Sequence, residues 1–123
     1  MSPLVKLRAL LLPVGEAARV VELDDAVEGL QRAVGGHFEA LGSFPCGPGR
    51  VADVWIDEEG RLKDLPENRL VLMPGFEDVI LGPIVLTASH AAGTEEDDGE
   101  TYSLTDDELA FCRRVVDQWP LVE

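Results

Sequence analysis

The sequence predicts an α+β fold, with a mixed or antiparallel sheet and two helices mainly on one face, in the order ββαββ(β)βα. Several short segments alternate apolar and polar residues, and two longer segments place apolar residues at helical spacing after a capping signal. The length of 123 residues is typical of one domain, so we expect residues 1–123 to fold as a single unit. An opening hairpin followed by a helix makes the β-grasp arrangement a candidate.

The first third of the chain predicts a β-hairpin and a helix. Residues 5–12 alternate apolar and polar side chains, a turn follows at residues 13–16, and residues 18–23 form the second strand. Asp25 and Glu28 have the spacing of a capping box at the start of the helix. Gly35 and Gly36 end that helix, because glycine readily adopts the left-handed conformation of a C-terminal cap.

The middle of the chain predicts further short strands separated by loops. We expect strands at residues 37–41, 51–56, 70–73 and 79–88, the last with a bulge or edge position at Gly82 and Pro83. Residues 42–50 (GSFPCGPGR) predict an irregular loop, and residues 61–69 (RLKDLPENR) a structured one.

The C-terminal part predicts an acidic loop and a second helix. Residues 91–100 have the least ordered composition of the chain. A helix then begins at Thr105, with Glu108 as its capping-box partner, and ends before Pro120. Its apolar stripe has helical spacing and consists of Leu109, Cys112, Val116 and Trp119.

The charge of the chain is its strongest compositional signal. Twenty-four acidic residues against ten Lys and Arg give a net charge of −14, which makes direct binding of nucleic acid unfavourable. The acidity either reflects a GC-rich or salt-adapted host, in which acidic surfaces are routine, or forms a surface that mimics nucleic acid or docks on a basic host protein. The carboxylates assigned to that surface are Glu95, Glu96, Asp97, Asp98, Glu100, Asp106 and Asp107.

Cofactor, metal and catalytic signals are weak. Cys46 and Cys112 are the only cysteines, and we expect both to be reduced in an intracellular protein. The acidic loop does not match the register of a calcium-binding loop, so neither a metal nor a cofactor is predicted. Ser89 and His90 are neighbours on a strand and point to opposite faces, so they predict no catalytic pair.

The loop at residues 61–69 is the other candidate site. Asn68 follows a proline-bearing turn and is most simply interpreted as a residue that holds the loop in shape. In the alternative, Asn68 and Arg69, together with Arg61, form a small polar pocket for a carboxylate, because the guanidinium is suited to such groups. Trp55, on the polar face of its strand, is either an exposed partner anchor or part of the core.

The setting predicted for this chain is the cytoplasm. Its start has no charged region followed by a long apolar stretch, and no apolar run approaches the ~20 residues of a membrane span. We therefore expect no contact with a membrane. The expected oligomeric state is either a monomer or a homodimer.

The chain resembles DUF3846, a family known only as a domain of unknown function and met in phages, plasmids and diverse bacteria. The resemblance is carried by four segments in order: LDDAVEGLQRAVGG, HFEAL, DEEGRLKDLPENR, and DVILGPIVLTAS followed by SLTDDEL. The chain departs from the family in its longer GSFPCGPGR loop, its acidic EEDDGE insert, and His37 in place of a more usual aromatic such as tyrosine. The resemblance implies an accessory role linked to phages or mobile elements.

Two functions are therefore open. In the first, the chain is a non-enzymatic module that binds or modulates a protein through its acidic surface. In the second, it is a small-ligand sensor or a weak enzyme that uses the loop at residues 61–69.

Overall fold

A computed structural model describes residues 6–122 of the chain. Within this range seven strands and two helices follow one another. In chain order they are β1 (Leu7–Leu12), β2 (Arg19–Leu23), α1 (Glu28–Val34), β3 (Phe38–Gly47), β4 (Arg50–Asp57), β5 (Glu67–Met73), β6 (Phe76–Leu81), β7 (Ile84–His90) and α2 (Asp106–Val116).

The strands form two sheets, which confirms the α+β prediction. The larger sheet has five strands in the order β2-β1-β7-β4-β3, and β5 and β6 form a separate hairpin. All of these pairs are antiparallel, including the central pair of β1 and β7. Because the two central strands of a β-grasp fold run parallel, the likeness to that fold is limited to the opening hairpin and helix.

The two helices pack on opposite faces of the five-stranded sheet, so the prediction of helices mainly on one face is wrong. Leu10 and Leu12 of β1 join the cluster that contains the apolar stripe of α2. Leu7 and Ala9 of the same strand join the cluster around Leu30 of α1. The physical reason is that β1 carries apolar side chains on both faces of the sheet. Each face is therefore stabilised by a helix that packs on it.

The helix α1 starts later than its capping signal. Asp25 Oδ1 accepts hydrogen bonds from the backbone N–H groups of Val27 at 2.8 Å and Glu28 at 2.7 Å, and the regular helix begins only at Glu28. The predicted C-terminal stop is confirmed, since Gly35 adopts the left-handed conformation with φ of 93°.

The helix α2 begins as predicted. Thr105 accepts from the Glu108 backbone N–H at 3.2 Å, and the Glu108 carboxylate accepts from the Thr105 N–H at 2.9 Å, which completes the capping box. Leu109, Cys112 and Val116 are buried against the sheet. At eleven residues α2 is the longer described helix, and neither helix is long and apolar enough to cross a membrane.

The segment 42–50 is not an irregular loop. It is the second half of β3, the turn that follows, and the first residue of β4. Phe44 and Cys46 alternate into the core, which gives this stretch the periodicity of a strand despite its glycines and prolines. Pro45 is tolerated because β3 lies at the edge of the sheet, and Gly49 turns the chain with φ of 68°.

The segment 79–88 is two strands rather than one strand with a bulge. Gly82, at φ of 82°, and Pro83 end β6 in the hairpin and lead into β7 in the large sheet. The loop at residues 61–69 correspondingly stops at Pro66, because Glu67–Met73 is a full strand. The first half of β6 was missing from the prediction, because Glu77 and Asp78 are adjacent and both exposed, so residues 76–78 show no apolar alternation.

The end of the chain extends the hairpin. Leu70 N–H donates to Pro120 O at 2.9 Å, and Val122 N–H donates to Asn68 O at 3.0 Å. β5 therefore lies between β6 and the residues that follow α2. This pairing fixes β5, with Asn68 and Arg69 at its start, against the rest of the molecule.

Candidate functional site

Asn68 is fully buried and its amide is bonded within the protein. Its Nδ2 donates to Leu12 O at 2.8 Å and to Gly82 O at 2.9 Å. Its Oδ1 accepts from Arg69 Nε at 2.9 Å. Because both amide protons are already used, the side chain joins β1, β5 and the turn between β6 and β7 rather than lining a cavity.

Arg69 is also buried, and its guanidinium binds backbone carbonyls. Its Nη2 donates to Pro13 O at 3.1 Å and to Glu16 O at 2.8 Å, in the turn between β1 and β2. Burial lowers the pKa of Arg69, and the charge of Asp117 partly offsets this effect. The guanidinium thus uses Nε and Nη2 to hold Asn68 and the turn at residues 13–16 in place, and only 4% of the residue is exposed.

Arg61 lies apart from Asn68 and Arg69, on the rim of a cavity of about 200 Å³. Its guanidinium is exposed and pairs with Asp78 of β6 at 3.2 Å. The cavity lies between the turn after β4, the start of β3 and the end of β6. Of the three polar residues predicted for the loop site, Arg61 alone lines this cavity.

Trp55 lies on the α1 face of the sheet and is half-buried. Its indole N–H donates to Thr87 Oγ1 at 2.7 Å, and its ring meets that of Phe38 edge-on, with 5.3 Å between the centroids. The side chain packs with the cluster under α1. The indole N–H is thus hydrogen-bonded within the protein, and much of the ring packs against neighbouring side chains.

The acidic surface comprises seven exposed carboxylates on the loop after β7 and on the first turn of α2: Glu95, Glu96, Asp97, Asp98, Glu100, Asp106 and Asp107. Among the described residues, Asp106 is the only carboxylate of this surface that forms an ion pair, with Arg8 at 2.6 Å. Asp106 and Asp107 also face the positive end of the α2 dipole. The other carboxylates project from the loop.

The acidic loop is tied to the sheet at its C-terminal end. Tyr102 exchanges two backbone hydrogen bonds with Ala88, and Leu104 N–H donates to Arg8 O at 3.0 Å. The Tyr102 hydroxyl donates to the Asp98 carboxylate, and this bond lowers the pKa of Asp98. The tyrosine therefore fixes one carboxylate of the loop relative to β7.

Arg50 and Glu108 form an ion pair directly below this loop. Arg50 donates from Nε and Nη2 to the two carboxylate oxygens at 3.0 and 2.9 Å, and from Nη2 to Ser103 O at 2.9 Å. Burial by itself raises the pKa of Glu108, but the bonds from Arg50 and Thr105 outweigh burial and hold the pKa below its ordinary value. The Arg50 side chain also lies 5.6 Å from the Tyr102 ring centre.

This arrangement was missed from the sequence. Arg50 belongs to the GPGR turn and Glu108 had been assigned only to the capping box, 58 residues further along. Their contact depends on the pairing of β4 with β7 and on the docking of α2, which no local pattern reports. Arg50 is the first residue of β4, and its position in the sequence does not indicate which carboxylate it pairs with.

Cys46 and Cys112 are free thiols in the core beside this ion pair. The Cys46 thiol donates to Glu108 Oε2 at 3.6 Å. The hydrogen bond between the two thiols, together with burial, raises the pKa of Cys112. The Cys112 thiol is thus protonated at neutral pH. Within residues 6–122 there is no cluster of three or more His, Cys, Asp or Glu residues arranged to hold a metal ion.

Comparison with known proteins gives a family but no function. No curated protein and no solved structure matches the chain. The family described as a domain of unknown function, DUF3846, matches residues 7–119. That range includes both sheets, both helices and the acidic loop, which confirms the family resemblance, and the chain therefore belongs to the DUF3846 family.

Proposed function

We propose that the chain is a non-enzymatic protein-binding module that docks on a basic host protein through the acidic surface defined above. The observation that carries this proposal is the exposure of seven carboxylates of which, among the described residues, only Asp106 has an ion-pair partner. Carboxylates that are exposed and uncompensated retain their long-range field and attract a cationic partner.

The distribution of cations supports this assignment. Six cations each form an ion pair with a carboxylate of the same chain: Arg8, Arg19, Arg32, Arg50, Arg61 and Lys63. Arg69 is buried among carbonyls. The other cations are Lys6 and, in the last turn of α2, Arg113 and Arg114, whereas residues 91–107 contain no Lys or Arg. The field of the loop therefore reaches solvent over one Debye length, about 8 Å at physiological salt.

The anchoring of the loop favours recognition over simple solubility. A solubilising charge needs no fixed position, whereas here Tyr102 orients Asp98 and the capping box orients the first turn of α2. Fixed charges lower the entropic cost of association, because fewer side chains must be ordered on binding. An accessory protein of a phage or mobile element that acts on a host protein would have use for such a surface.

The test compares partner capture by two variants with equal charge change. The first, Glu95→Gln/Glu96→Gln/Asp97→Asn/Glu100→Gln, neutralises the loop but keeps Asp98 with its tyrosine. The control, Glu22→Gln/Glu28→Gln/Glu67→Gln/Glu77→Gln, neutralises four exposed residues elsewhere. Tagged proteins are incubated with host lysate at low and high salt, and the retained proteins are identified by mass spectrometry.

We expect a basic protein that is retained by the wild type and the control, released by high salt and lost with the loop variant. Retention of the same partner by both variants would contradict an acidic-surface interface. So would the absence of any salt-sensitive partner, since the acidity would then be a solubility feature.

A further inference from the structure

The cavity beside Arg61 lies at the opposite end of the sheet from the acidic surface. It is bordered by Asp57 at the end of β4, whereas the acidic loop follows His90, and His90 pairs with Arg50 at the start of β4. A ligand in this cavity and a partner on the acidic surface therefore contact different residues. The inference below does not depend on the proposed function.

The floor of the cavity is apolar and its rim is charged. Ile56 and Ile80 are buried beneath it, and Leu81 borders it. Leu62 stands on the rim with 85% of its surface exposed. A floor of this kind accommodates a short hydrocarbon stem, and Leu62 is placed to cover it.

The charges around the cavity leave a negative excess. Arg61 is paired with Asp78, and Lys63 with the buried Asp57 at 2.8 Å, so each of these pairs is neutral as a unit. Glu39 and Glu58 are the other ionised groups on the lining, and both are exposed. Neither has an ion-pair partner among the residues that the structure describes, which leaves two uncompensated carboxylates on the rim.

The size of the cavity limits its ligand. A volume of about 200 Å³ is below the range of roughly 300–1,000 Å³ that is usual for drug-sized ligands. It is close to a cavity of about 150 Å³ that accepts benzene. The space therefore suits one compact group rather than a nucleotide or a sugar chain.

From these features we propose that the cavity binds an ammonium or guanidinium group carried on a short apolar stem. The stem lies on Ile56 and Ile80, and the cation faces Glu39 and Glu58. This reverses the charge expected for a ligand of the loop at residues 61–69, where Asn68 and Arg69 were assigned to a carboxylate. The same chemistry is offered by a free alkylamine and by a lysine side chain of another protein.

The test is a titration of the isotopically labelled protein followed by amide NMR. The probes are n-butylamine, its uncharged analogue n-butanol and its anionic analogue butyrate. We expect butylamine to shift the amide signals of Gly60, Leu62 and Leu81 with a roughly millimolar Kd, as is usual for so small a ligand. The amides of Gly49 and Gly99 should stay in place. Equal shifts with butanol or butyrate, or no shift with butylamine, would overturn the assignment.

Two variants separate the local site from the overall charge. Glu39→Gln/Glu58→Gln should weaken butylamine binding at least about fivefold, as expected for the loss of two exposed charge contacts. The matched control Glu22→Gln/Glu28→Gln changes the net charge equally and should leave binding within about twofold. Equal weakening by both pairs would contradict a site on this rim.

A second probe identifies the source of the cation. Nα-acetyl-lysine N-methylamide carries the same butylammonium stem on a blocked backbone. If it shifts the same amides as butylamine, a lysine side chain of a protein can enter the cavity. If butylamine alone binds, the ligand is a free amine. Either result supports the cation site, and failure of both probes overturns it.

Discussion

Arg50 and Glu108 form a two-point ion pair across 58 residues of sequence, with contacts of 3.0 and 2.9 Å from the guanidinium to the two carboxylate oxygens. The pair links the first residue of β4 to the first turn of α2, immediately below the acidic surface. Its side chains are only 19% and 8% exposed, so it is the least exposed Arg–carboxylate pair in the described chain. Arg50 Nη2 also donates to Ser103 O at 2.9 Å, just after the acidic loop.

Replacement of Arg50 by alanine should destabilise the protein by about 2–4 kcal/mol, because Glu108 is then left largely buried without its cation. The matched control is Arg61→Ala, which breaks a pair whose side chains are 75% and 53% exposed and should cost less than about 1 kcal/mol. Urea denaturation gives both free energies of unfolding. Equal costs would show that Arg50 contributes no more than a surface pair.

Glu108 should make the stability depend on pH in the acid range. Its pKa is lower in the folded protein than in the unfolded chain, so the unfolded chain binds a proton first as the pH falls. The stabilisation is therefore complete above the ordinary pKa of 4.5 and is lost as the pH falls through the folded value. In Glu108→Gln, unfolding free energies measured from pH 7 to pH 3 should fall less steeply below pH ~4.5 than in the wild type. Parallel curves would refute this role.

Asn68 should be required for folding rather than for binding. In Asn68→Asp a carboxylate replaces the amide donor that faces Leu12 O and Gly82 O, and leaves both carbonyls opposite a charge. We expect a loss of about 3 kcal/mol in the free energy of unfolding at pH 7. Gln118→Glu, the same kind of change at an exposed position, should cost less than about 1 kcal/mol. A stable Asn68→Asp protein would contradict this structural role and favour a ligand role for the residue.

Gly82 should tolerate a methyl group less well than Gly15, although both adopt positive φ, at 82° and 73°. A Cβ at Gly15 meets nothing within 4 Å, so Gly15→Ala should cost only the left-handed backbone strain, about 1–2 kcal/mol. A Cβ at Gly82 would lie 2.7 Å from Leu65 Cδ1, and we expect Gly82→Ala to cost about 1 kcal/mol more. Thermal unfolding of the two variants measures the difference, and equal costs would show that Leu65 moves away freely.

Local signals in the sequence predicted local structure well. The Thr105–Glu108 capping box and the Gly35 stop lie where expected, because each depends on residues within one helical turn. The alternation of residues 51–56 likewise separates Ala52 and Val54 from Trp55. Predictions at this range needed no knowledge of the rest of the chain.

Features set by long-range pairing were not predictable in the same way. The prolines and glycines of residues 42–50 indicated a loop, yet the burial of Phe44 and Cys46 makes it an edge strand. The division of residues 79–88 between two sheets follows from the positive φ of Gly82, which the sequence shows only as a glycine before a proline. For the candidate sites, exposure and ion pairing are tertiary properties, so the lining of the Arg61 cavity could not be inferred from motif spacing.

The most direct measurement for the central claim is binding of the basic protein recovered in the capture experiment to the purified chain at increasing salt. The wild type and the loop variant Glu95→Gln/Glu96→Gln/Asp97→Asn/Glu100→Gln are compared under the same conditions. An acidic interface predicts that the wild-type affinity falls steeply with salt and that the variant binds more weakly, with a shallower dependence on salt. Equal affinities and equal salt dependence for the two proteins would contradict a role of the acidic surface in binding.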